Sequence, residues 1–191
     1  RFAGLSLTAV LMLSQFGWPA AYAQVKGAGA TFPSRIHARC ALSFAKVSDL
    51  QVVYKGTGSG DGIKQITERA LDFGGTDSPL SSEELAKRKL IHLPMLIGGI
   101  VPVLKVSGIG PTKLLLSGEA LADIMAGRIS RWNDEHSSAP NPGLTLPARP
   151  IERVVRLDKS GTTEGFKRCL SEVSPSFKKD VGTAQLPVWP A

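Results

Sequence analysis

Apolar positions recur along the chain with two periods. Short runs at residues 51–54, 71–75, 114–116 and 150–156 alternate or stay apolar, as strands do. Between and after them, apolar residues return at every third or fourth place: Ile36, Cys40 and Phe44, then Ile63 and Ile66, then Leu121, Ile124 and Met125, then Phe166, Cys169 and Leu170. That spacing lays each group on one face of a helix. Helix ends are marked as well. Thr31 stands as a cap before Pro33, Ser81-Ser82-Glu83-Glu84 forms a capping box ahead of Leu85, and Ser117 precedes a helix closed by Gly127. Strands and helices in alternation predict an α/β fold. Residues 93–104 break the rhythm, being apolar and β-branched but long for one strand. Their Pro94, Gly98, Gly99 and Pro102 predict a crossing between two lobes, 24–100 and 101–191. Residues 128–133 and 137–150 read as a surface connection, and 175–191 as a tail without a terminating element.

The first residues stand apart from this pattern. Arg1 is basic, Leu5 to Leu13 is almost wholly apolar but short for a bilayer, and Ala21-Tyr22-Ala23 puts small residues before Gln24. This is the pattern of a secretory signal peptide cut after Ala23, so residues 1–23 are set aside from the fold and export to the periplasm is expected. Of 191 residues, 168 then remain, enough for one well-filled domain or two small lobes. The whole chain has 23 basic and 16 acidic residues, a net charge of +7, and the loss of Arg1 makes that +6. The excess suits an anionic ligand. It is spread along the chain without a basic block or interleaved aromatics, which argues against nucleic acid. Cys40 and Cys169 fall on apolar helix faces, so two buried free thiols are expected rather than a disulfide. His37, His92 and His136 are isolated from other ligand types, and no metal site is expected.

Candidate chemistry lies in three stretches where a strand or small-residue turn runs into a helix. Such turns leave unpaired N–H groups at the positive end of the helix dipole, a seat for an anion. The central one is Gly56-Thr57-Gly58-Ser59-Gly60-Asp61-Gly62, with Ser59 adding a hydroxyl. Gly27-Ala28-Gly29-Ala30-Thr31-Phe32-Pro33 is the second. Leu157-Asp158-Lys159-Ser160-Gly161-Thr162-Thr163 is the third and richest, because Arg156 ends the preceding strand where it can grip an oxyanion in bidentate fashion, and Asp158 can orient it. Each alone reads equally as an ordinary capped helix. Asp77, in Thr76-Asp77-Ser78-Pro79, is either a turn residue or an acceptor for a proton carried by the anion; in the second role it rejects an unprotonated dianion such as sulfate.

With those loops placed, the chain resembles the N-terminal part of the periplasmic phosphate-binding proteins of ABC-type phosphate importers, the PstS family. The likeness runs through Gly27 to Pro33, Gly58-Ser59, Gly62-Ile63-Lys64-Gln65-Ile66, Asp72-Phe73-Gly74, Thr76-Asp77, Ile97-Gly98-Gly99, Trp132-Asn133-Asp134, Asn141-Pro142-Gly143-Leu144 and Ser160-Gly161-Thr162 in family order. The resemblance implies an α/β, periplasmic-binding-protein-like fold of class II type, with two lobes and a cleft between them. It implies inorganic phosphate held without metal or cofactor, no catalysis, a monomer, and an inner-membrane ABC permease complex as partner. Carried over by position, Ala30, Thr31 and Phe32 are first-lobe donors and Ser59 the hydroxyl of the glycine loop. Asp77 reads the phosphate proton, Arg156 is the cationic ligand, and Ser160, Gly161 and Thr162 form the second-lobe loop. Two departures accompany it. Asp61 stands where a small residue is frequent, and family members are much longer, so a truncated piece lacking the C-terminal return is expected. The rivals are a binding protein for another oxyanion, such as sulfate or molybdate, and a phosphatase or phosphotransferase with Asp77 or Ser160 as nucleophile.

Overall fold

The structure is a computed structural model that describes residues 23–111, 113–186 and 188–190. The expected signal peptide lies outside the described residues, apart from Ala23. Three parallel strands make the first lobe's sheet, in the order β2 (Gln51–Gly56), β1 (Gln24–Gly29), β3 (Phe73–Gly75). Each hands over to a helix, respectively α2 (Ser59–Thr67), α1 (Ser34–Phe44) and α3 (Ser82–Arg88); α1 and α2 are the crossovers that parallel pairing requires. The register sets Gly29 level with Gly56 on one side and Gly75 on the other, so all three strands end together. Their following loops therefore gather on one edge of the sheet, where α/β sheets bind ligands.

The central strand β1 was not among the expected strands, because Gly27-Ala28-Gly29 reads as a loop. Its small residues are imposed by its neighbours. A Cβ on Gly27 would stand 2.2 Å from Phe73 Cζ. Gly62 in the first turn of α2 works likewise: a Cβ there would lie 2.6 Å from Gly29 Cα and 2.7 Å from the Gly75 carbonyl, so glycine seats the helix directly on the strand ends. The capping box is present, with Ser81 Oγ accepting from Glu84 N–H at 3.2 Å and the Glu84 carboxylate accepting from Ser81 N–H at 3.3 Å. Thr31 is not a cap. Pro33 holds the N-cap of α1 and makes no side-chain bond there, and Thr31 turns toward the second lobe instead. The expected apolar face of α1 is also exposed at Ile36, Cys40 and Phe44. α1 rests on β2 through His37, whose ring centroid lies 4.4 Å from that of Tyr54.

The second lobe is helical: α4 (Gly118–Met125), α5 (Glu135–Ser138), α6 (Gly161–Val173) and α7 (Pro175–Asp180). Its core is Ala122, Ala126, Leu170, Phe177 and Val181, with Phe166 and Trp189 against it, and a smaller cluster joins Ala120, Ile124 and Ile129. Ser117 caps α4, accepting from Ala120 N–H at 3.0 Å, and Gly127 follows it with φ of 78°, as the sequence predicted. The tail departs from expectation. Ser174 caps α7 and Phe177 is fully buried, so this stretch belongs to the core. The connection at 137–150 is more than surface loop. Asn141 is buried, donates to the Leu115 and Ser137 carbonyls at 2.7 Å each, and accepts from Leu115 N–H at 2.8 Å. Arg128 ties α4 to α7, reaching Asp123 at 2.7 Å, Asp180 at 3.0 Å and Ser176 at 3.0 Å.

The remaining strand expectations are not met. Residues 114–116 and 151–156 run without a strand partner among the described residues, save an antiparallel bridge of Arg131 with Pro150, and residues 93–104, expected as a crossing between the lobes, are likewise unpaired. A β-branched run becomes a strand only where another chain segment takes its N–H and C=O groups. Leu93, Ile97, Val101, Val103 and Val154 lie exposed, Ile97 by 99%. Cys169 is exposed too, since α6 turns Phe166 and Leu170 inward and leaves the thiol outside; both cysteines are free, but neither is buried as expected.

Candidate functional site

The loops after β1, β2 and β3 meet the start of α6 at one junction. On the first-lobe side, Thr57 and Gly58 N–H both donate to the Gly29 carbonyl, at 2.9 and 2.8 Å, which binds the end of β2 to the end of β1. Gly58, with φ of 105°, turns the chain into α2 and presents Ser59, which is buried. Ser59 Oγ accepts from Asp77 N–H at 3.2 Å and so fixes the β3 loop beside the β2 loop. Asp77 Oδ2 accepts from Thr162 Oγ1 at 2.8 Å, across the lobes. Gly60 N–H donates to the Lys159 carbonyl at 3.2 Å, a second link between the same loops.

Arg156 makes a third. Its Nη1 donates to Thr31 Oγ1 at 3.0 Å, while Nε and Nη2 grip both carboxylate oxygens of Asp158, the first at 2.8 Å. This hydrogen bonding raises the Arg156 guanidinium above its ordinary range and holds the Asp158 carboxyl below its own, each the other's principal cause. The guanidinium is thus aimed at the first lobe by a carboxylate of its own loop. Gly161 is forced by closeness. A Cβ there would stand 2.6 Å from Ser59 Oγ, 2.9 Å from Asp77 Cβ and 3.0 Å from Ser78 Oγ, so only glycine lets α6 start so near the β2 and β3 loops. Ser160 caps α6, its Oγ accepting from Thr163 N–H at 3.1 Å, which leaves its own proton to donate.

Backbone donors remain at this junction. The N–H groups of Thr31, Phe32, Ser59, Gly161 and Thr162 have no hydrogen-bond partner among the described residues. They belong to the loop before α1 and to the first turns of α2 and α6, where the helix dipole favours negative charge. Together with Arg156 and the hydroxyls of Thr31, Ser59 and Ser160, they compose a surface of donors that can hydrogen-bond an anion, with Asp77, which holds the Thr162 hydroxyl, as the acceptor within it. Beside it a groove of about 780 Å³ runs between α2, α3 and α6, lined by Thr57, Lys64, Arg88 and Lys159; Ser78 and Asp158 stand where groove and junction meet.

Of the residues singled out from the sequence, Thr31, Ser59, Asp77, Arg156, Gly161 and Thr162 come together directly, and Ser160 caps the helix they meet. Phe32 lies at the rim with its ring against Gly98, where a Cβ would be 2.4 Å from Phe32 Cζ. Ala30 supports rather than donates: its N–H is taken by the Gly75 carbonyl at 2.9 Å and its carbonyl by Tyr54 Oη at 2.8 Å. Asp61, the departure in the glycine loop, has its carboxylate bound by Gln65 Nε2 one turn on along α2. Sequence reasoning missed Tyr54, whose hydroxyl is pushed up to about 12 by burial and by the charge of nearby Asp77. It reads as any strand aromatic, and only its reach to Ala30 gives it a role. Among the described residues no group of three His, Cys, Asp or Glu is placed to hold a metal, and no helix is long and apolar enough to cross a membrane.

A family model described as the PBP superfamily domain matches residues 14–189. The chain is 44% identical over 165 residues to a protein of Haemophilus influenzae named phosphate-binding protein PstS, covering 86% of this chain and 49% of that protein. It is 41% identical to the protein of the same name from Pasteurella multocida, over 94% of this chain and 52% of that one. The chain therefore spans about half the length of the curated relatives it matches. A crystal structure from Clostridium perfringens, described as a phosphate ABC transporter substrate-binding protein with bound phosphate, superposes with a TM-score of 0.56 at 22% identity, over 77% of this chain and 56% of that one. At that identity the likeness speaks for the fold.

Proposed function

This chain belongs to the PBP superfamily, with the fold of a periplasmic binding protein, and from that premise we propose that it is a phosphate-binding subunit of an exported ABC-type importer. Phosphate is held between the two lobes by the free N–H groups of Thr31, Phe32, Ser59, Gly161 and Thr162, by the hydroxyls of Thr31, Ser59 and Ser160, and by Arg156, while the Thr162 hydroxyl holds Asp77. Ala30 braces the first loop. No bond is made or broken: the chain binds and releases, and hands its ligand to a membrane permease. The observation that carries this reading is Asp77. A carboxylate among anion donors repels any ligand without a proton, and here it already accepts from Thr162 Oγ1 across the junction.

Isothermal titration of the chain with phosphate and with sulfate tests it. Saturable phosphate binding with sulfate ignored is expected, and Asp77→Asn is expected to bring sulfate binding up, because an amide offers a donor where the carboxylate offered none. Sulfate bound as well as phosphate by the unaltered chain overturns the proton-reading account; no binding of either overturns the function.

A further inference from the structure

Among the described residues, the side-chain polar atoms that are buried and without a partner are Ser78 Oγ, Ser137 Oγ, Ser171 Oγ and Trp189 Nε1. A buried hydroxyl with no partner is unusual in a folded protein and calls for an explanation. Ser137, Ser171 and Trp189 belong to the second lobe, away from the junction. Ser78 lies in it. The residue is 6% exposed and follows Asp77 directly. Its backbone is already settled, with N–H donating to Thr76 Oγ1 at 3.0 Å and carbonyl accepting from Thr76 Oγ1 at 2.9 Å. The turn is thus complete without the Ser78 hydroxyl, which instead faces the first residue of α6.

The direction is fixed by Gly161. Ser59 Oγ and Ser78 Oγ both lie within 3.0 Å of the one point from which a Gly161 side chain would start. Two hydroxyls from two loops therefore flank the N-terminus of a thirteen-residue helix, whose Gly161 and Thr162 N–H groups have no partner among the described residues. We infer that Ser78 is a further ligand of the anion bound at this junction, its hydroxyl donating to an anion oxygen beside the start of α6. The inference rests on the reading above, that the junction binds phosphate. It adds a residue that the loop motifs do not point to, since Ser78 reads as ordinary turn chemistry.

A hydroxyl differs from a carboxylate in what it discriminates. It donates to any oxyanion, so Ser78 adds affinity without reading the ligand's proton, whereas Asp77 reads the proton. The test is titration of the 191-residue chain and its Ser78→Ala and Ser78→Thr variants with phosphate and with arsenate, with thermal midpoints in parallel. Ser78→Ala is expected to weaken both anions by the same factor, about tenfold, or about 1.4 kcal/mol. Its thermal midpoint without ligand is expected to stay level or rise, because an unpaired buried hydroxyl has been removed. Ser78→Thr, which keeps the hydroxyl, is expected to retain most of the affinity. If the unaltered chain binds phosphate and Ser78→Ala binds it equally well, the inference falls while the proposed function stands. If Ser78→Thr loses as much affinity as Ser78→Ala with its midpoint preserved, the hydroxyl is not what matters and the inference falls. If the unaltered chain binds neither anion, both fall together.

Discussion

Replacing Gly161 with alanine separates fold from closure. One methyl group would sit 2.6 Å from Ser59 Oγ, 2.9 Å from Asp77 Cβ and 3.0 Å from Ser78 Oγ, where ordinary contact begins at 3.4 Å, so the nearest atom is about 0.8 Å too close. Ser59 is buried and held by Asp77 N–H, and Ser78 is buried, so neither can swing aside. Overpacking of this kind costs about 1–3 kcal/mol. The clash, however, lies between α6 of one lobe and the β2 and β3 loops of the other, and moving them apart relieves it. The 2.8 Å bond from Thr162 to Asp77 then opens past hydrogen-bond range. Within α6 the same change is favourable, since alanine is the better helix former by up to about 1 kcal/mol. The penalty thus falls on the closed arrangement and not on the second lobe's own stability. Phosphate affinity measured by titration is expected to drop about 5- to 150-fold, while the thermal midpoint without ligand stays level or rises. Unchanged affinity for Gly161→Ala would refute the placement of α6 against the β2 and β3 loops.

Three further outcomes follow from other parts of the structure. Arg156→Lys keeps the charge but loses the two-point grip on Asp158 and the reach to Thr31, so phosphate affinity is expected to fall at least tenfold by titration, with little change in thermal midpoint. Lys167 is 1% exposed and, among the described residues, its Nζ donates to the Ala184 carbonyl at 3.3 Å, beside the Trp189 ring; burial lowers its proton affinity in the folded state. The unfolded chain then holds that proton to higher pH than the folded one, so this residue makes stability rise as pH climbs through its lowered value toward the ordinary lysine range. Lys167→Met is expected to raise the thermal midpoint at neutral pH and to remove that rise, compared below pH 10 to keep clear of tyrosine ionisation. Cys40 and Cys169 are both exposed, so both should react with a thiol reagent in the native chain; a requirement for denaturant would contradict their placement.

The sequence was most informative where function crowds the backbone. Glycine and hydroxyl residues in the loops at 27–33, 56–62 and 157–163, with Arg156 and Asp77, all reach one junction because helix starts and anion donors use the same residue types. The capping box at Ser81 and the N-cap at Ser117 were legible for the same local reason. What failed was non-local. β1 went unseen because its small residues answer to Phe73 and α2, which are far away in the sequence. The runs at 114–116 and 150–156 have strand composition, but pairing depends on a partner that composition cannot supply. Cys40 and Ile36 carried helical spacing without burial, because His37 takes the packing position on Tyr54. Tyr54 and Ser78 looked like routine strand and turn residues, and only their neighbours distinguish them.

The passage from α3 to α4 has a consequence for how the halves meet. It is held from both sides: Gly98 lies against the Phe32 ring of the first lobe, and Leu115 exchanges two hydrogen bonds with Asn141 of the second. Across the junction itself run the bonds of Arg156 to Thr31, Thr162 to Asp77 and Gly60 to Lys159. At about 0.5–1.5 kcal/mol each, bonds of this kind give a modest sum. A ligand that takes donors from both sides therefore adds to an arrangement already in register, and little of its binding energy goes into assembling it.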